Sequence, residues 1–416
     1  MKFEFATATR IIFGTGTIRE AAPLAAQMGK WAFVVTGHST ERAEMLLGEL
    51  RKHKIDFVTF NVTGEPTTNL VKEALQQARQ AKTDLVLGIG GGSVLDTGKV
   101  VAAMLTNKGR LEDYLEIVGQ GRPLTQNPVP YIAIPTTAGT GAEVTRNAVL
   151  GVPEYGGKVS MRSQLLLPRI AIVDPELTYS MPPFLTATTG LDALTQLIEA
   201  YVCNKANPLT DGICREGLVR AARSLRQVYE DGSNKSARED MALASLFSGM
   251  ALANAGLGAV HGLAGPLGGM LNIPHGLICA RLLPYVMQAN VQALQSRAAD
   301  SQALVRYDEI AQLLTSRNSA RALDGVEWMQ ELCSGFKLPS LSQFKWFDRL
   351  TIRFDKLTTS PSGLVPSEVE GVEGLKEADL PAIVARSQKS SSMKGNPVTL
   401  TDDELIDILK KADKFD

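Results

Sequence analysis

The chain has 416 residues, a formal net charge of −1 and 44% hydrophobic residues. That length exceeds a single hydrophobic core and favours two domains, and the near-neutral balance without a long basic run excludes an electrostatic footprint for nucleic acid or an acidic membrane surface. The four cysteines, Cys203, Cys214, Cys279 and Cys333, form no CxxC pair, which favours a reducing compartment over a disulfide framework. Residues 1–5 lack the head of a signal peptide and no apolar run is long enough to span a bilayer, so the expectation is a soluble, cytoplasmic protein that engages neither membrane nor nucleic acid.

Short runs rich in β-formers at 31–36, 57–60, 84–89 and 130–134 predict strands, and most are followed by a longer amphipathic stretch such as 69–82. Their near-continuous apolarity is that of strands buried on both faces, hence a parallel sheet covered by helices. Two short runs within 149–160 flank Pro153, Glu154, Tyr155, Gly156 and Gly157 and predict a hairpin, and a strand at 170–173 closes the region before Asp174 and Pro175. Beyond Met181, Pro182 and Pro183 nearly everything has helical period. The expected division is therefore a doubly wound α/β dinucleotide-binding domain over 1–182 and an all-α domain over 183–416. Small residues dominate 242–260 and suit a closely packed interior helix.

The chemistry begins after the third predicted strand, where Gly88-Ile89-Gly90-Gly91-Gly92-Ser93 runs into the helix-like Val94-Leu95-Asp96-Thr97-Gly98-Lys99. Glycines let the backbone approach a phosphate, and free amides at a helix start attract an anion, which makes Gly91, Gly92 and Ser93 candidate pyrophosphate binders. The full GxGxxG is absent, because Ser93 stands at its last position. A second polar loop, 135–145, carries Thr136, Thr137 and Thr140, whose hydroxyls suit phosphate, ribose or carboxamide oxygens. Two such loops at the carboxyl ends of parallel strands point to a dinucleotide.

The chain has only four histidines. Two of them, His261 and His275, lie in a Gly-rich stretch downstream of a helix-like segment at 188–201, for which Thr188 reads as the cap and on which Asp192, Gln196 and Glu199 share one face. On one straight helix the two histidines would stand about 21 Å apart at ~1.5 Å per residue, but Gly268, Gly269 and Pro274 allow the chain to turn back. Asp192, His261 and His275 then offer one oxygen and two nitrogens to a divalent cation, with a position left for substrate.

These motifs resemble those of the iron-containing, or group III, alcohol dehydrogenases, relatives of glycerol dehydrogenase and dehydroquinate synthase. The resemblance runs through most of the chain: GGGSVLDTGK at 90–99, PTTAGTGAEVT at 135–145, DPELT at 174–178, GLDALTQLIEAYV at 190–202, HGLAGPLGG at 261–269, PHG at 274–276 and SSMKGNPVTLTDDEL at 391–405. It implies a metal, Fe(II) or Zn(II), between the two domains, a homodimer or higher homo-oligomer, and hydride transfer between NAD or NADP and a small alcohol or aldehyde. Asp192, His261 and His275 would act catalytically through the metal. Iron enzymes of the family carry Asp-Ala-Leu-Thr-His on the metal helix. This chain has Gln196 at the histidine position, where its carbonyl is a weak fourth ligand, and the remaining set is similar to that of the zinc-dependent glycerol dehydrogenases. Gly265 stands where many members have a further histidine near the substrate.

NAD-selective relatives often place an aspartate at the position of Gly37; its absence, with Ser39 and Thr40 as added donors, favours NADP. Lys158 and Thr178 align with residues that border the cofactor in relatives, and Asp96 is expected to orient the nicotinamide half. A metal-free reductase like the maleylacetate reductases, or less readily a non-redox member of the fold, is the alternative reading. An insertion around 344–377, beginning with Lys345, Trp346, Phe347, Asp348 and Arg349, is expected to be a surface excursion.

Overall fold

The computed structural model describes residues 2–37, 41–271, 273–342 and 375–414; Ser39, Thr40 and residues 344–374 of the insertion lie outside the described residues. The strands are β1 (Arg10–Phe13), β2 (Trp31–Thr36), β3 (Asp56–Asn61), β4 (Leu85–Gly90), β5 (Tyr131–Pro135), β6 (Asn147–Val152), β7 (Gly157–Arg162) and β8 (Ile170–Val173). Six of them form one sheet in the order β1-β8-β5-β4-β2-β3, and β6 pairs with β7 as the expected antiparallel hairpin. Every pairing in the large sheet is parallel.

Four helices connect this half: α1 (Ala21–Ala25), α2 (Glu41–Lys52), α3 (Thr68–Gln80) and α4 (Gly92–Thr106). The helix α3 shows why such segments form. Val71, Ala74, Leu75 and Ala78 recur at three- and four-residue spacing and are buried, while the Thr67 hydroxyl accepts from the Leu70 amide at 3.2 Å as the cap. The strands β4 and β5 are buried at every position, as strands covered on both faces must be. Gly88 leaves room for the Tyr131 ring, whose hydroxyl donates to the Leu95 carbonyl at 3.0 Å. The edge strand β1 is an addition to the sequence reading. It is four residues long, incompletely buried and pairs only with β8, so it lacks the continuous apolar signature of the central strands.

The strand order reverses between β2 and β4, since the chain runs outward from β2 to β3 and then returns to β4 and β5. Loops leaving the carboxyl ends at such a switch point diverge and open a crevice. Gly37 follows β2, and Gly91 and Gly92 follow β4, so both expected cofactor loops leave from this point.

From Pro183 onward the described chain is helical: α5 (Pro183–Val202), α6 (Pro208–Glu230), α7 (Lys235–Asn254), α8 (Ala259–Leu271), α9 (His275–Arg297), α10 (Gln302–Thr315), α11 (Ala322–Gly335), α12 (Leu380–Ser387) and α13 (Asp402–Lys414). Leu191, Leu194 and Tyr201 of α5 pack into its core with Leu218, Leu225, Leu277 and Leu282. Three local expectations change. Thr188 is not a cap, because α5 starts five residues earlier with a proline in its first turn; the Thr188 and Thr189 hydroxyls instead donate back to the Phe184 and Leu185 carbonyls at 2.9 and 2.8 Å. The small-residue run 242–260 is not one helix but breaks between α7 and α8. Gly268 and Gly269 lie inside α8, and the reversal that returns the chain toward His261 falls just before His275. Among the described residues, no single helix is long and apolar enough to cross a membrane.

Candidate metal and dinucleotide site

The two halves meet where side chains are smallest. Gly141 has a left-handed φ of 57°, and a Cβ added there would lie 2.6 Å from the Gly249 backbone of α7. A Cβ on Gly139 would likewise meet Thr189 at 2.6 Å, and one on Gly276 would meet the Thr188 carbonyl at 2.6 Å. The loop 135–145 and the start of α9 are thus pressed against α5 and α7 with no space for larger residues.

On the helical side, α5, α8 and α9 converge. Asp192 of α5, His261 of α8, and His275 and Cys279 of α9 each present one donor atom, and these atoms all lie within 4.8 Å of one another. The His261 Nε2 and His275 Nε2 stand 3.3 and 3.7 Å from Asp192 Oδ1. That oxygen is buried without a hydrogen bond. The solvated polar face that a helix bearing Asp192, Gln196 and Glu199 suggests is absent: all three are buried. Glu199 has a defined role in this packing. Its Oε1 accepts from the Val260 amide at 2.6 Å and its Oε2 accepts from His261 Nδ1 at 2.7 Å, which fixes the ring and turns Nε2 toward Asp192.

Electrostatics follow from this crowding. Burial works to raise the Asp192 carboxyl, but the His275 and His261 imidazoles hold it below the usual carboxylate range. Burial also opposes a charged His261 ring, yet Cys279, Glu199 and Asp192 around it carry its pKa well above that of free imidazole. His275 is raised in the same way against its own burial, by Cys279 and Asp192. These are the residues that would hold a cation, and the donor set fits one: an orphaned carboxylate oxygen, two imidazole nitrogens and a thiol.

The Gln196 side chain lies beside this group. A carboxylate only accepts hydrogen bonds, so the Gln196 amide nitrogen is the atom that serves Asp192. The Oε1 is turned to the Ser248 hydroxyl at 2.9 Å. The Gln196 carbonyl expected as a ligand thus lies against Ser248, while Cys279, one turn beyond His275, presents a fourth donor atom to the group. Sequence reading missed Cys279 because it sought pairs of cysteines. The available signal was the four-residue spacing from His275, which puts both on one helix face.

On the sheet side, α4 begins at Gly91 with no side-chain cap on its amides. A Cβ on Gly92 would lie 3.0 Å from the Thr140 hydroxyl, and one on Gly91 would lie 3.4 Å from the Thr137 methyl, so the two predicted loops face each other. Ser93, Thr137 and Thr140 are partly exposed, whereas Thr136 is buried with its amide donating to the Gly90 carbonyl at 3.0 Å. Gly37 lies beside Val94, whose Cγ2 would be 3.7 Å from an added Cβ. Lys158 is no surface lysine: it is 17% exposed, pairs with Glu65 at 3.0 Å and sits next to Gly268 of α8. Two other candidates are tied into the scaffold. Thr178 is buried and donates to the Pro175 carbonyl at 2.7 Å. Asp96 accepts from Lys99 at 3.1 Å and from the Val149 amide at 2.9 Å, and burial nevertheless raises its carboxyl. Lys99 continues this link to Thr145 and the Asn147 carbonyl at 2.8 and 2.7 Å.

Comparison with known proteins gives a consistent picture. The family described as iron-containing alcohol dehydrogenase matches residues 8–175, and its C-terminal counterpart matches residues 186–342. The chain is 45% identical over 240 residues to long-chain-alcohol dehydrogenase 1 of Geobacillus thermodenitrificans, a stretch that spans 58% of this chain and 60% of that relative. It is 34% identical over 390 residues to 1,3-propanediol dehydrogenase of Citrobacter freundii, with 92% of each chain covered. Among solved structures, a 1,3-propanediol oxidoreductase superposes with a TM-score of 0.84 at 31% identity, covering 99% of this chain and 100% of that one.

Proposed function

The chain belongs to the iron-containing alcohol dehydrogenase family, and from that premise we propose that it interconverts a small alcohol and its aldehyde or ketone at the junction of two domains divided near residue 182. The enzyme is an oxidoreductase acting on CH–OH groups with a nicotinamide dinucleotide. The observation that carries the site assignment is Asp192 Oδ1, buried, unpaired and facing two imidazole nitrogens. A buried acceptor left without a partner costs about 1–3 kcal/mol, more when charged, and a cation is the group that would remove that cost for Asp192, His261 and His275 together.

When bound, the cation polarises the substrate oxygen and the nicotinamide gives or takes the hydride. The chain's own part is to hold and orient. Glu199 keeps His261 Nδ1 as a donor, so that its other nitrogen faces the cation. Gly91, Gly92 and Ser93 bring the uncapped start of α4 to the pyrophosphate, and Thr137 and Thr140 close over it from the opposing loop. Thr136, Asp96, Lys158 and Thr178 shape the cofactor's surroundings, three of them by anchoring loops. Gly265, with nothing within 4 Å of an added Cβ, leaves open space where relatives carry a histidine.

NADP is the favoured cofactor, supported by the absence of a carboxylate at Gly37. A homodimer or higher homo-oligomer follows the family resemblance, and four free, buried cysteines agree with the reducing compartment of a cytoplasmic protein. The test is NADPH-dependent reduction of short aldehydes before and after chelation. Activity that disappears on removal of the metal and returns on re-addition is expected; full activity after exhaustive chelation would sink the reading in favour of a metal-free reductase.

A further inference from the structure

We propose that Cys279, in place of Gln196, is the fourth protein ligand of the cation site, giving a one-oxygen, two-nitrogen, one-sulfur set that selects zinc over iron(II). The inference rests on the cation-binding reading of Asp192, His261 and His275 given above and adds to it the identity of the last donor and of the metal.

Three observations lead there. The first is distance. A tetrahedral cation with bonds of about 2.05 Å to nitrogen and oxygen and about 2.3 Å to sulfur separates nitrogen from oxygen by ~3.3 Å and nitrogen from sulfur by ~3.6 Å. His261 Nε2 lies 3.3 Å from Asp192 Oδ1, and Cys279 Sγ lies 3.6 Å from His275 Nε2 and 4.0 Å from His261 Nε2. His275 Nε2 lies 3.7 Å from Asp192 Oδ1. These four distances close a ring of donor atoms that all lie within 4.8 Å of one another, a spacing that suits a single four-coordinate cation.

The second is an unpaired acceptor. His261 gives its Nδ1 hydrogen to Glu199, so its Nε2 is the atom that faces inward, next to a buried carboxylate oxygen without a hydrogen-bond partner. The one thiol hydrogen of Cys279 cannot serve His261, His275 and Asp192 together. A cation satisfies all of them, and a coordinated thiol gives up its proton outright. The third is the position of Gln196, whose Oε1 lies 2.9 Å from the Ser248 hydroxyl, whereas the Cys279 thiol already lies among the donor atoms of the group.

The chemistry of the set then decides the metal. A thiolate with two imidazoles and one carboxylate is a borderline-soft environment, in which zinc is held more tightly than iron(II). His275 is the open side of the group, with 34% of its side chain exposed, whereas Asp192 and Cys279 are fully enclosed. A substrate oxygen would reach the group from that side.

The experiment is cobalt(II) titration of the metal-stripped protein, read by near-ultraviolet and visible absorption, for the wild type, Cys279→Ser and Gln196→Ala. The wild type and Gln196→Ala are expected to show a thiolate-to-cobalt charge-transfer band saturating at one equivalent; Cys279→Ser is expected to lack it. Zinc competition against a chromophoric chelator is expected to show affinity lowered at least about tenfold by Cys279→Ser and lowered less by Gln196→Ala. Stoichiometric cobalt in the wild type without the band overturns the proposal while leaving the cation site intact. Loss of binding in Gln196→Ala with no change in Cys279→Ser overturns it as well. Failure of the wild type to take up cobalt or zinc overturns the cation site itself and this inference with it. The wild-type spectrum alone is decisive should Cys279→Ser prove unstable.

Discussion

On the sheet side of the junction the proposed ligand-binding surface is mostly backbone: glycines at 90–92, the uncapped amides of α4, and a threonine loop whose glycines press against α5 and α7. On the helical side it is entirely side chains, contributed by three helices and packed so that one carboxylate oxygen has no partner. A backbone surface tolerates many side-chain changes provided the chain can still approach closely. A side-chain cluster is broken by single atoms. Substitutions on the two sides should therefore separate cleanly, those on the sheet side moving the cofactor KM and those on the helical side moving metal content.

The largest effect is expected from Asp192→Ala. Removing the only carboxylate among the four donors should abolish stoichiometric metal binding and lower kcat/KM by about a thousandfold or more, roughly 4 kcal/mol of transition-state stabilisation. Elemental analysis beside steady-state kinetics checks it, and dinucleotide binding measured by fluorescence should be retained. Loss of dinucleotide affinity together with the metal would mean that the two sides are not separable.

Glu199→Gln probes the helical side one step back from the donors. The amide can still accept from the Val260 amide, but it no longer offers a charged acceptor to His261 Nδ1. Metal affinity is expected to fall by about 10- to 100-fold, with the fold intact. A chelator competition that showed no change would remove Glu199 from the site and return it to packing.

The sheet side carries a buried acid of its own. Burial raises Glu143, in the loop 135–145, from 4.5 to about 7. A carboxyl whose folded pKa lies above its unfolded value binds its proton more tightly when folded, so stability is greatest below about pH 4.5 and falls as pH rises through about 7. Glu143→Gln should therefore unfold at a temperature close to that of wild type at about pH 4.5 and be the more stable protein at about pH 8, by on the order of 1–2 kcal/mol. Thermal unfolding of the metal-free proteins at both values measures it; a difference independent of pH would show that Glu143 is not held in an unfavourable charged state.

How much of this was legible depends on which physical signal carried it. The central strands β2, β4 and β5 were legible to within a residue or two, because strands buried on both faces are apolar throughout, and so were the hairpin and the glycine turn before α4. The edge strand β1 was not, since a short, half-exposed strand leaves no such run. His261, His275 and Asp192 could be chosen from the sequence as a group through their types and the family motifs. Their convergence depended on a turn that falls just before His275 and not at Gly268 and Gly269. The closeness of Cys279 to the two histidines and of Gln196 to Ser248 are tertiary facts, because they depend on how α5, α7, α8 and α9 pack together. Asp96 and Thr178 illustrate the converse: a polar residue in a cofactor motif can serve the scaffold that holds the motif.

The finest distinction on the sheet side is the cofactor's ribose, and Gly37→Asp tests it. Nothing in the backbone demands glycine at this position, which is not among the glycines with positive φ, and an added Cβ would make only an ordinary contact with Val94 at 3.7 Å. The residue can therefore be changed without disturbing β2, and any effect is attributable to the new carboxylate. Placed at the switch point of the sheet, that charge would repel a 2′-phosphate and accept from a free 2′-hydroxyl. The ratio of kcat/KM for NADPH over NADH is expected to fall by about tenfold, equivalent to ~1.4 kcal/mol, with metal content unchanged. An unchanged ratio would mean that the ribose lies away from the end of β2, and the backbone-built side of the junction would then hold its dinucleotide in a different register from the one its glycines suggest.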